Sequence, residues 1–168
     1  MLRLLPETPA DRDEIEALYD LAFAPGRMAL GSYRLRAGVA PIPALCRILR
    51  DDYDALVGAI RHWPVTLGEA RLPALLLGPI AVHPTRQGEG LGALLVGETA
   101  ETARALGWTR VVLVGDEAYY GRFGFSRALA AGLVFPGPVN PERCLARELV
   151  PGAMAGISGP VRRADAPA

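Results

Sequence analysis

The sequence contains no lysine, because all eighteen of its basic residues are arginine. A chain without lysine can form no lysine Schiff base, attach no pyridoxal phosphate, and build no Walker A loop. These classes of catalyst are therefore excluded. We ascribe the imbalance to biased codon usage rather than to function.

Cysteine and histidine are also scarce. The two cysteines, Cys46 and Cys144, have no CxxC partner and suit neither a disulfide framework nor a zinc site. The two histidines, His62 and His83, are too few for most metal centres. We therefore expect a protein that uses no metal.

Clustered charge and long apolar runs are missing as well. Acidic and basic residues balance to a net charge of zero without a basic block, which argues against nucleic acid as a partner. No segment has the length of a transmembrane helix, and Pro6 and Glu7 interrupt the first apolar residues where a secretory signal would continue. We expect a cytoplasmic protein with no membrane partner.

The length of 168 residues is that of one ordinary domain, and the 51% of hydrophobic residues predict a packed core. We expect a single domain over residues 1–151. Glycine, proline and alanine dominate residues 152–168, which predicts a flexible tail.

Hydrophobic periodicity predicts a mixed α/β fold. A helix begins near Pro9 and ends at Pro25-Gly26, a short second helix is possible within residues 27–38, and a long helix covers 91–106. A further helical turn is expected at 118–122, and residues 64–71 form a loop. Strands are expected at 2–5, 45–50, 55–63, 75–82, 111–114, 133–135 and 144–150, the last two as a pair. The long helix is a crossover, so the strands that it joins should be parallel in an otherwise mostly antiparallel sheet with helices on both faces.

The most informative segment is the glycine-rich loop between the strand that ends at Val82 and the long helix. Glycines alternate along Gly88-Glu89-Gly90-Leu91-Gly92, immediately before the helix. Glycine lets backbone amides approach a ligand closely, and a helix start adds unpaired amides and a favourable dipole. The loop therefore predicts a phosphate or pyrophosphate site, although an ordinary flexible turn remains an alternative.

A dinucleotide-binding fingerprint is a second interpretation of the same loop. Gly88, Gly90 and Ala93 fit its spacing, with Asp116 as the distant acid. That fingerprint places its first glycine almost at the strand end, whereas residues 83–87 intervene here, and too few alternating strand–helix units remain for a doubly wound sheet. We therefore disfavour this interpretation.

Gln87-Gly88-Glu89-Gly90-Leu91-Gly92 resembles the Q/R-x-x-G-x-G/A motif of the GNAT superfamily of N-acetyltransferases. The element order is similar along almost the whole chain, and the match is specific from about Leu75 to Phe125. The resemblance implies a GNAT-like sheet with a splayed parallel pair. It also implies that the backbone of residues 87–92 holds the pyrophosphate of acetyl-coenzyme A; the site residues implied are Gln87, Gly88, Glu89, Gly90, Leu91 and Gly92.

Gly78-Pro79 interrupts the most apolar strand. Proline cannot donate to a ladder, and glycine within a strand often marks a bulge, so the strand should lose pairing on one side. By the GNAT resemblance, the pantetheine arm lies in the resulting opening against Ile80, Ala81 and Val82, and an amide near Ile80 stabilises the oxyanion. The alternative is a strand that simply ends at Gly78.

Tyr119-Tyr120-Gly121-Arg122-Phe123-Gly124-Phe125 resembles the family's F-Y-x-x-x-G-F segment. The resemblance implies that Tyr120 protonates the departing thiolate, which suits a phenol that is protonated at neutral pH. We expect Tyr119 to be a core residue, Arg122 to be exposed or to reach a phosphate, and Glu89 to point to solvent.

A general base is harder to identify, because residues 74–82 contain no acid. Glu69, His62 and Asp116 are candidates, while His83 is expected to order the loop. Tyr33, Arg34 and Arg36 lie where the family's acceptor-side helices usually are, although a solvated helix face is the favoured interpretation.

The sequence therefore predicts an acetyl-coenzyme A-dependent N-acetyltransferase in which a primary amine attacks the thioester directly. The acceptor, a small-molecule or peptide amine, is not identified, and the family resemblance leaves a homodimer open. The alternative is a catalytically inactive coenzyme A-binding sensor or scaffold.

Overall fold

The computed structural model describes residues 1–23 and 31–164. Four α-helices are present in these residues: α1 (Arg12–Ala22), α2 (Gly31–Arg34), α3 (Leu91–Ala105) and α4 (Glu117–Tyr120). The strands are β1 (Arg3–Pro6), β2 (Arg47–Arg50), β3 (Leu56–Leu67), β4 (Leu72–Val82), β5 (Arg110–Val114), β6 (Leu133–Val134), β7 (Cys144–Glu148) and β8 (Gly159–Arg163). The predicted end of the first helix at Pro25-Gly26 lies outside the described residues.

The main sheet has the strand order β1-β2-β3-β4-β5-β7. Its neighbours are antiparallel except for β4 and β5, which are parallel because α3 carries the chain across the sheet between them. β8 pairs antiparallel with the second half of β3, and β6 pairs parallel with β8. The predicted mixed, mostly antiparallel sheet is confirmed.

Helices cover both faces of this sheet because side chains alternate along β4. Leu75 and Leu77 pack with Leu91 and Leu95 of α3 in the largest buried cluster. Leu76, between them, points to the opposite face and joins a second cluster. On that opposite face α1 covers the end of β4, where its residues Ile15, Leu18 and Tyr19 pack with Ala81.

Two sequence-based predictions about connections are wrong. Residues 64–71 were expected to be a loop, yet β3 continues to Leu67. Pro64 lies opposite Leu75, and Pro73 lies opposite Thr66 two pairs further along the β3–β4 ladder. Hydrogen-bonded and non-hydrogen-bonded pairs alternate in such a ladder, so both prolines, which lack an N–H, occupy the same kind of pair. The expected pairing of residues 133–135 with 144–150 does not form either, because β7 pairs with β5 and β6 pairs with β8.

The predicted flexible tail also requires correction. Residues 159–163 form β8, with Val161 opposite Leu67 and almost completely buried. Met154 is buried in the same cluster, so two apolar side chains dock a segment whose composition suggested disorder. No helix in the described residues is both long enough and apolar enough to cross a membrane.

Candidate functional site

A cleft opens between the ends of β4 and β5. Within the described residues the two strands pair only at Leu75–Val111 and Leu76–Val112. Beyond Leu76 they separate, although β4 continues to Val82 along β3. The strands that the sequence predicted to splay are therefore splayed, and one edge of β4 is left without a neighbouring strand.

A bulge at Gly78-Pro79 accompanies the separation. His62 lies opposite Leu77 and Ile60 lies opposite Ile80, so two residues of β4 face the single Arg61 of β3. Gly78 has a φ of 129°, a conformation that favours glycine. The extra residue reverses the alternation, and Ile80 and Val82 now pack on the α3 face.

The ladder shows which backbone groups face the cleft. His83 donates its N–H to the Val57 carbonyl at 2.8 Å. Hydrogen-bonded and non-hydrogen-bonded pairs alternate in an antiparallel ladder, so Ala81 bonds across to Ala59. Ile80 and Val82 therefore turn their N–H and C=O groups away from β3, toward the cleft. Ala81, also predicted as a binding residue, directs its backbone to β3.

Side chains fix the bulge from the opposite side. Trp63 donates its indole N–H to the Gly78 carbonyl at 2.7 Å, and the Tyr19 hydroxyl donates to the Pro79 carbonyl at 3.1 Å. Tyr19 is fully buried, and burial raises the pKa of its hydroxyl far above the ordinary value. The hydroxyl therefore stays protonated as a hydrogen-bond donor, and the position of the bulge is determined by the core.

The glycine-rich loop borders a cavity of about 300 Å³ at the start of α3. Gly88 and Gly90 have φ values of 83° and 76°, and Gly90 is the N-cap of the helix. The first amides of α3 have no partner within the helix and carry the positive end of its dipole. Residues that line the cavity include Val82, Arg86, Gln87, Gly88, Gly90, Leu91, Gly92, Tyr119 and Arg122. The arrangement suits a phosphate or pyrophosphate.

Two polar side chains order this loop. Arg86 donates to both carboxylate oxygens of Glu89, at 2.6 and 3.0 Å, and Glu89 is exposed and not among the residues that line the cavity. The arginine also holds the pKa of the Glu89 carboxyl below its usual value. Gln87 donates its side-chain amide to the Val82 carbonyl at 3.0 Å and so joins the loop to the end of β4.

Tyr120 lines the middle of the cleft. Its ring lies 2.5 Å from where a Cβ on Gly115 would stand, so that glycine makes room for it. Together with Gly78, Pro79, Ile80 and Val114, it borders a narrow cavity of about 90 Å³ between the splayed strands. Burial raises the pKa of Tyr120 to about 12, which keeps its hydroxyl protonated at neutral pH.

Tyr119 is not the core residue that the sequence predicted. The residue is 37% exposed and lines both the cavity at the start of α3 and a neighbouring cavity of about 190 Å³ along Ile80 and Val82. The Arg122 guanidinium lies over its ring at 4.7 Å, and the Tyr120 ring contacts it edge-on at 4.9 Å. The tyrosine pair therefore forms one continuous wall from the loop to the middle of the cleft.

The candidate bases lie apart from one another. Glu69, in the turn between β3 and β4, is exposed beside Arg162 at the opposite end of the sheet. His62 is buried, donates to the Leu45 carbonyl, and has its pKa lowered to about 4 by burial. Asp116 lies at the cleft end of β5 and is exposed. His83 accepts from the Thr85 N–H at 3.2 Å, which fits the loop-ordering role expected of it.

A further cavity of about 360 Å³ lies on the other side of Pro79. Sequence analysis named Tyr33 and Arg36 as acceptor-side residues but favoured a solvated helix face for them, and it missed the rest of the lining. Glu16, Tyr33, Arg36, Arg61 and Trp63 line it. Arg61 lies between two carboxylates, those of Glu7 and Glu16, with contacts of 2.9 and 3.0 Å. Arg61, Glu7 and Glu16 come from separate elements, so no local spacing could have indicated their contact.

Comparisons with known proteins agree with this geometry. A family model described as an acetyltransferase (GNAT) domain matches residues 44–127. The N-acetyltransferase YhbS of Escherichia coli is 29% identical over 153 residues, which cover 91% of this chain and 90% of that protein. The Escherichia coli N-acetyltransferase YjhQ is 32% identical over 128 residues, which cover 73% of this chain and 70% of that protein.

Solved structures give the same picture. The crystal structure of Escherichia coli YhbS in complex with CoA matches with a TM-score of 0.80 and 28% identity, covering 97% of this chain and 88% of that one. A GNAT family acetyltransferase from Brucella melitensis in complex with acetyl-CoA matches with a TM-score of 0.63 and 32% identity, covering 87% and 95%.

Proposed function

Because this chain belongs to the GNAT family of acetyltransferases, we propose that it transfers an acetyl group from acetyl-coenzyme A to a primary amine. The observation that carries the proposal is the split between β4 and β5, with the glycine-rich loop at one end and Tyr120 in its middle. The amine attacks the thioester directly, and both substrates are bound at once.

The coenzyme fits the cleft in three sections. The amides of residues 87–92, including the start of α3, would hold the pyrophosphate, and Arg122 would add a positive charge. The pantetheine arm contains two amides, and the cleft-facing N–H and C=O of Ile80 and the N–H of Val82 would pair with them like a neighbouring strand, while the Val82 carbonyl accepts from Gln87. The thioester would then lie between Pro79 and Tyr120.

The chain's own residues supply the proton needed by the leaving group. The amine nitrogen first bonds to the carbonyl carbon and forms an oxyanion; when the carbon–sulfur bond then breaks, Tyr120 donates its hydroxyl proton to sulfur. The nitrogen releases its proton to water, and Tyr120 is reprotonated from solvent. The cleft-facing Ile80 amide would stabilise the oxyanion before the bond to sulfur breaks. A Tyr120 pKa of about 12 keeps the donor protonated throughout the neutral range.

The first test measures thiol release from acetyl-coenzyme A across a panel of primary amines. Tyr120→Phe should lower kcat by about 10²-fold or more, the usual contribution of a positioned acid, while coenzyme affinity stays within about twofold. Tyr119→Phe is the matched control, because it removes the neighbouring hydroxyl yet should preserve kcat.

The same experiment tests the alternative of an inactive coenzyme A-binding module. The absence of an acid in residues 74–82 raises this alternative, but the acetyltransferase relatives do not favour it. If the protein binds acetyl-coenzyme A and no amine releases thiol, the module is correct. Equal kcat for Tyr120→Phe and the wild type would remove Tyr120 from the mechanism.

A further inference from the structure

The narrow cavity between the splayed strands ends against two leucines. Leu76 and Val112 are the last residues of β4 and β5 that pair with each other in the described part of the chain. Leu77 and Leu113, the next residue of each strand, line the cavity of about 90 Å³. Both belong to the largest buried cluster, with 5% and 1% of their surface accessible. The core therefore supplies the wall of the cavity at the point where the two strands separate.

Leu113 lies beside the proposed proton donor. A Cβ on Gly115 would stand 2.5 Å from the Tyr120 ring and 3.1 Å from a δ-methyl carbon of Leu113, so both side chains pack over this glycine. Leu113 is also paired with Leu145 of β7, which is fully buried in the same cluster. A close-packed side chain cannot give way without disturbing its neighbours. The position of this wall is therefore fixed.

From this arrangement we propose that Leu77 and Leu113 restrict the acyl group of the donor to acetyl. The inference rests on the proposed function and specifies its acyl donor. When the thioester lies between Pro79 and Tyr120, the acetyl methyl contacts the two leucines, and a longer chain has no room at this point. Each additional methylene would overpack the core, which is destabilising.

A longer acyl chain avoids the leucines only by turning toward the larger cavities that adjoin the narrow one. Tyr33 and Pro79 are shared with the cavity of about 360 Å³, and Phe23 and Val114 with another of about 570 Å³. The amine has to approach from this side, because the coenzyme would fill the rest of the cleft, so a chain turned outward would stand in its path. Such a donor would bind as tightly as acetyl-coenzyme A and react slowly, and a binding measurement distinguishes it from a donor that meets the leucines.

The acyl preference is measured with acetyl-, propionyl- and butyryl-coenzyme A and one reactive amine from the panel. The wild type should favour acetyl over propionyl by about tenfold or more in kcat/KM, the usual effect of one methylene in an apolar pocket, and should favour it still more over butyryl. Leu113→Ala removes the wall and should bring the ratio of acetyl to propionyl below about threefold. Leu113→Val removes a single carbon and should lower the ratio to a smaller extent; it replaces Leu113→Ala if that variant does not fold.

Leu145→Ala is the matched control. It removes the same side chain from the same buried cluster, and Leu145 is not among the residues that line the narrow cavity. The loss of stability should therefore be similar in Leu145→Ala and Leu113→Ala, whereas Leu145→Ala should keep the acetyl preference of the wild type. A preference that falls equally in both variants would reflect a loosened core, and the inference would be wrong.

A binding measurement without amine separates this inference from the proposed function. Isothermal titration calorimetry compares the Kd of acetyl-coenzyme A with that of butyryl-coenzyme A. The wild type should bind the acetyl form about tenfold or more tightly, and Leu113→Ala should bind the two forms about equally. If no amine releases thiol but this pattern is observed, the proposed function fails and the acyl limit stands. If the wild type binds or uses butyryl-coenzyme A as well as acetyl-coenzyme A, the leucines do not set the limit and the inference is wrong.

Discussion

The two halves of β4 have the same apolar character and different surroundings. Residues 72–77 pair with β3 throughout and meet β5 at Leu75 and Leu76, whereas residues 80–82, beyond the bulge, pair with β3 alone. In the first half, Ala74, Leu75 and Leu76 are fully buried; in the second, Ile80 and Val82 are partly exposed. One strand thus contributes the centre of the core at one end and an open edge at the other.

The bulge explains how the two halves coexist. An unpaired apolar edge invites association with any extended chain, so natural sheets usually cover it. Here the edge is recessed between β5, α4 and the loop before α3, and its carbonyls at Gly78 and Pro79 are bound by Trp63 and Tyr19. The open edge therefore has room only for a chain of limited width, which is consistent with the proposed pairing of pantetheine.

The largest expected effect is a difference in the free energy of unfolding between substitutions in the two halves of β4. Leu76→Ala removes a completely buried side chain and should lower the free energy of unfolding by about 2–5 kcal/mol. Ile80→Ala removes a side chain that is partly exposed, and it should lower the free energy of unfolding by less than half as much. Urea denaturation of both variants measures the difference.

The same two variants should differ in the opposite sense in coenzyme A binding, with the larger loss in Ile80→Ala. Ile80→Ala changes the lining of the cleft and should weaken coenzyme A binding, whereas folded Leu76→Ala should bind normally. If the two variants lose equal stability, the second half of β4 is as much a part of the core as the first.

A smaller effect concerns His62, which lies opposite Leu77 at the last pair before the bulge. Its pKa is lowered to about 4 by burial, so it folds in the neutral form. Its contribution to stability is fully present above the unfolded pKa of about 6.5 and is lost as pH falls toward 4. We expect the free energy of unfolding to fall by about 2 kcal/mol between pH 7 and pH 5.

Two variants test whether His62 causes this pH dependence of the free energy of unfolding. His62→Asn keeps a donor for the Leu45 carbonyl and should remove most of the slope between pH 7 and pH 5. His83→Gln should retain it, because His83 is partly exposed in the loop after β4. Asp11, whose pKa is lowered by its contacts with Arg50 and Thr8 against the effect of burial, acts only at lower pH. A slope that survives in His62→Asn would place the titrating group elsewhere.

The features that the sequence predicted are those whose signals are local. Gly78-Pro79 marks the bulge within one strand, and the glycines at 88, 90 and 92 mark the loop within one turn. The missed features join distant residues: Arg61 is 54 positions from Glu7 and 45 from Glu16. β8 was missed for the same reason, since its order comes from docking on β3 and not from its own composition.

Tyr119 shows a further limit. The sequence shows that two adjacent tyrosines follow β5. The directions of their side chains depend on Gly115 and Gly92, the two glycines against which they pack. The Tyr120 ring lies over Gly115, and the Tyr119 hydroxyl lies against Gly92. A local pattern therefore identifies the tyrosine pair without showing that both members line the cleft.

The smallest expected effect tests this contact at the open end of the cleft. In Gly92→Ala the new Cβ would clash with the Tyr119 hydroxyl, so the tyrosine has to move, and it lines the cavity at the start of α3. Because Tyr119 is an exposed side chain that can turn, folding should be nearly unchanged while coenzyme A affinity falls about tenfold, or about 1.4 kcal/mol. Isothermal titration calorimetry measures the affinity.

Gly97→Ala is the matched control, because it lies in the same helix and a Cβ there would meet no atom within 4 Å. It should leave coenzyme affinity unchanged and raise the free energy of unfolding by about 0.5–1 kcal/mol, the usual gain of alanine over glycine in a helix. Adding Tyr119→Phe to Gly92→Ala removes the clashing oxygen and should restore most of the affinity. If the double variant binds coenzyme A as weakly as Gly92→Ala alone, the loss of affinity comes from the loop backbone itself. Binding along the open half of β4 then does not depend on the position of Tyr119.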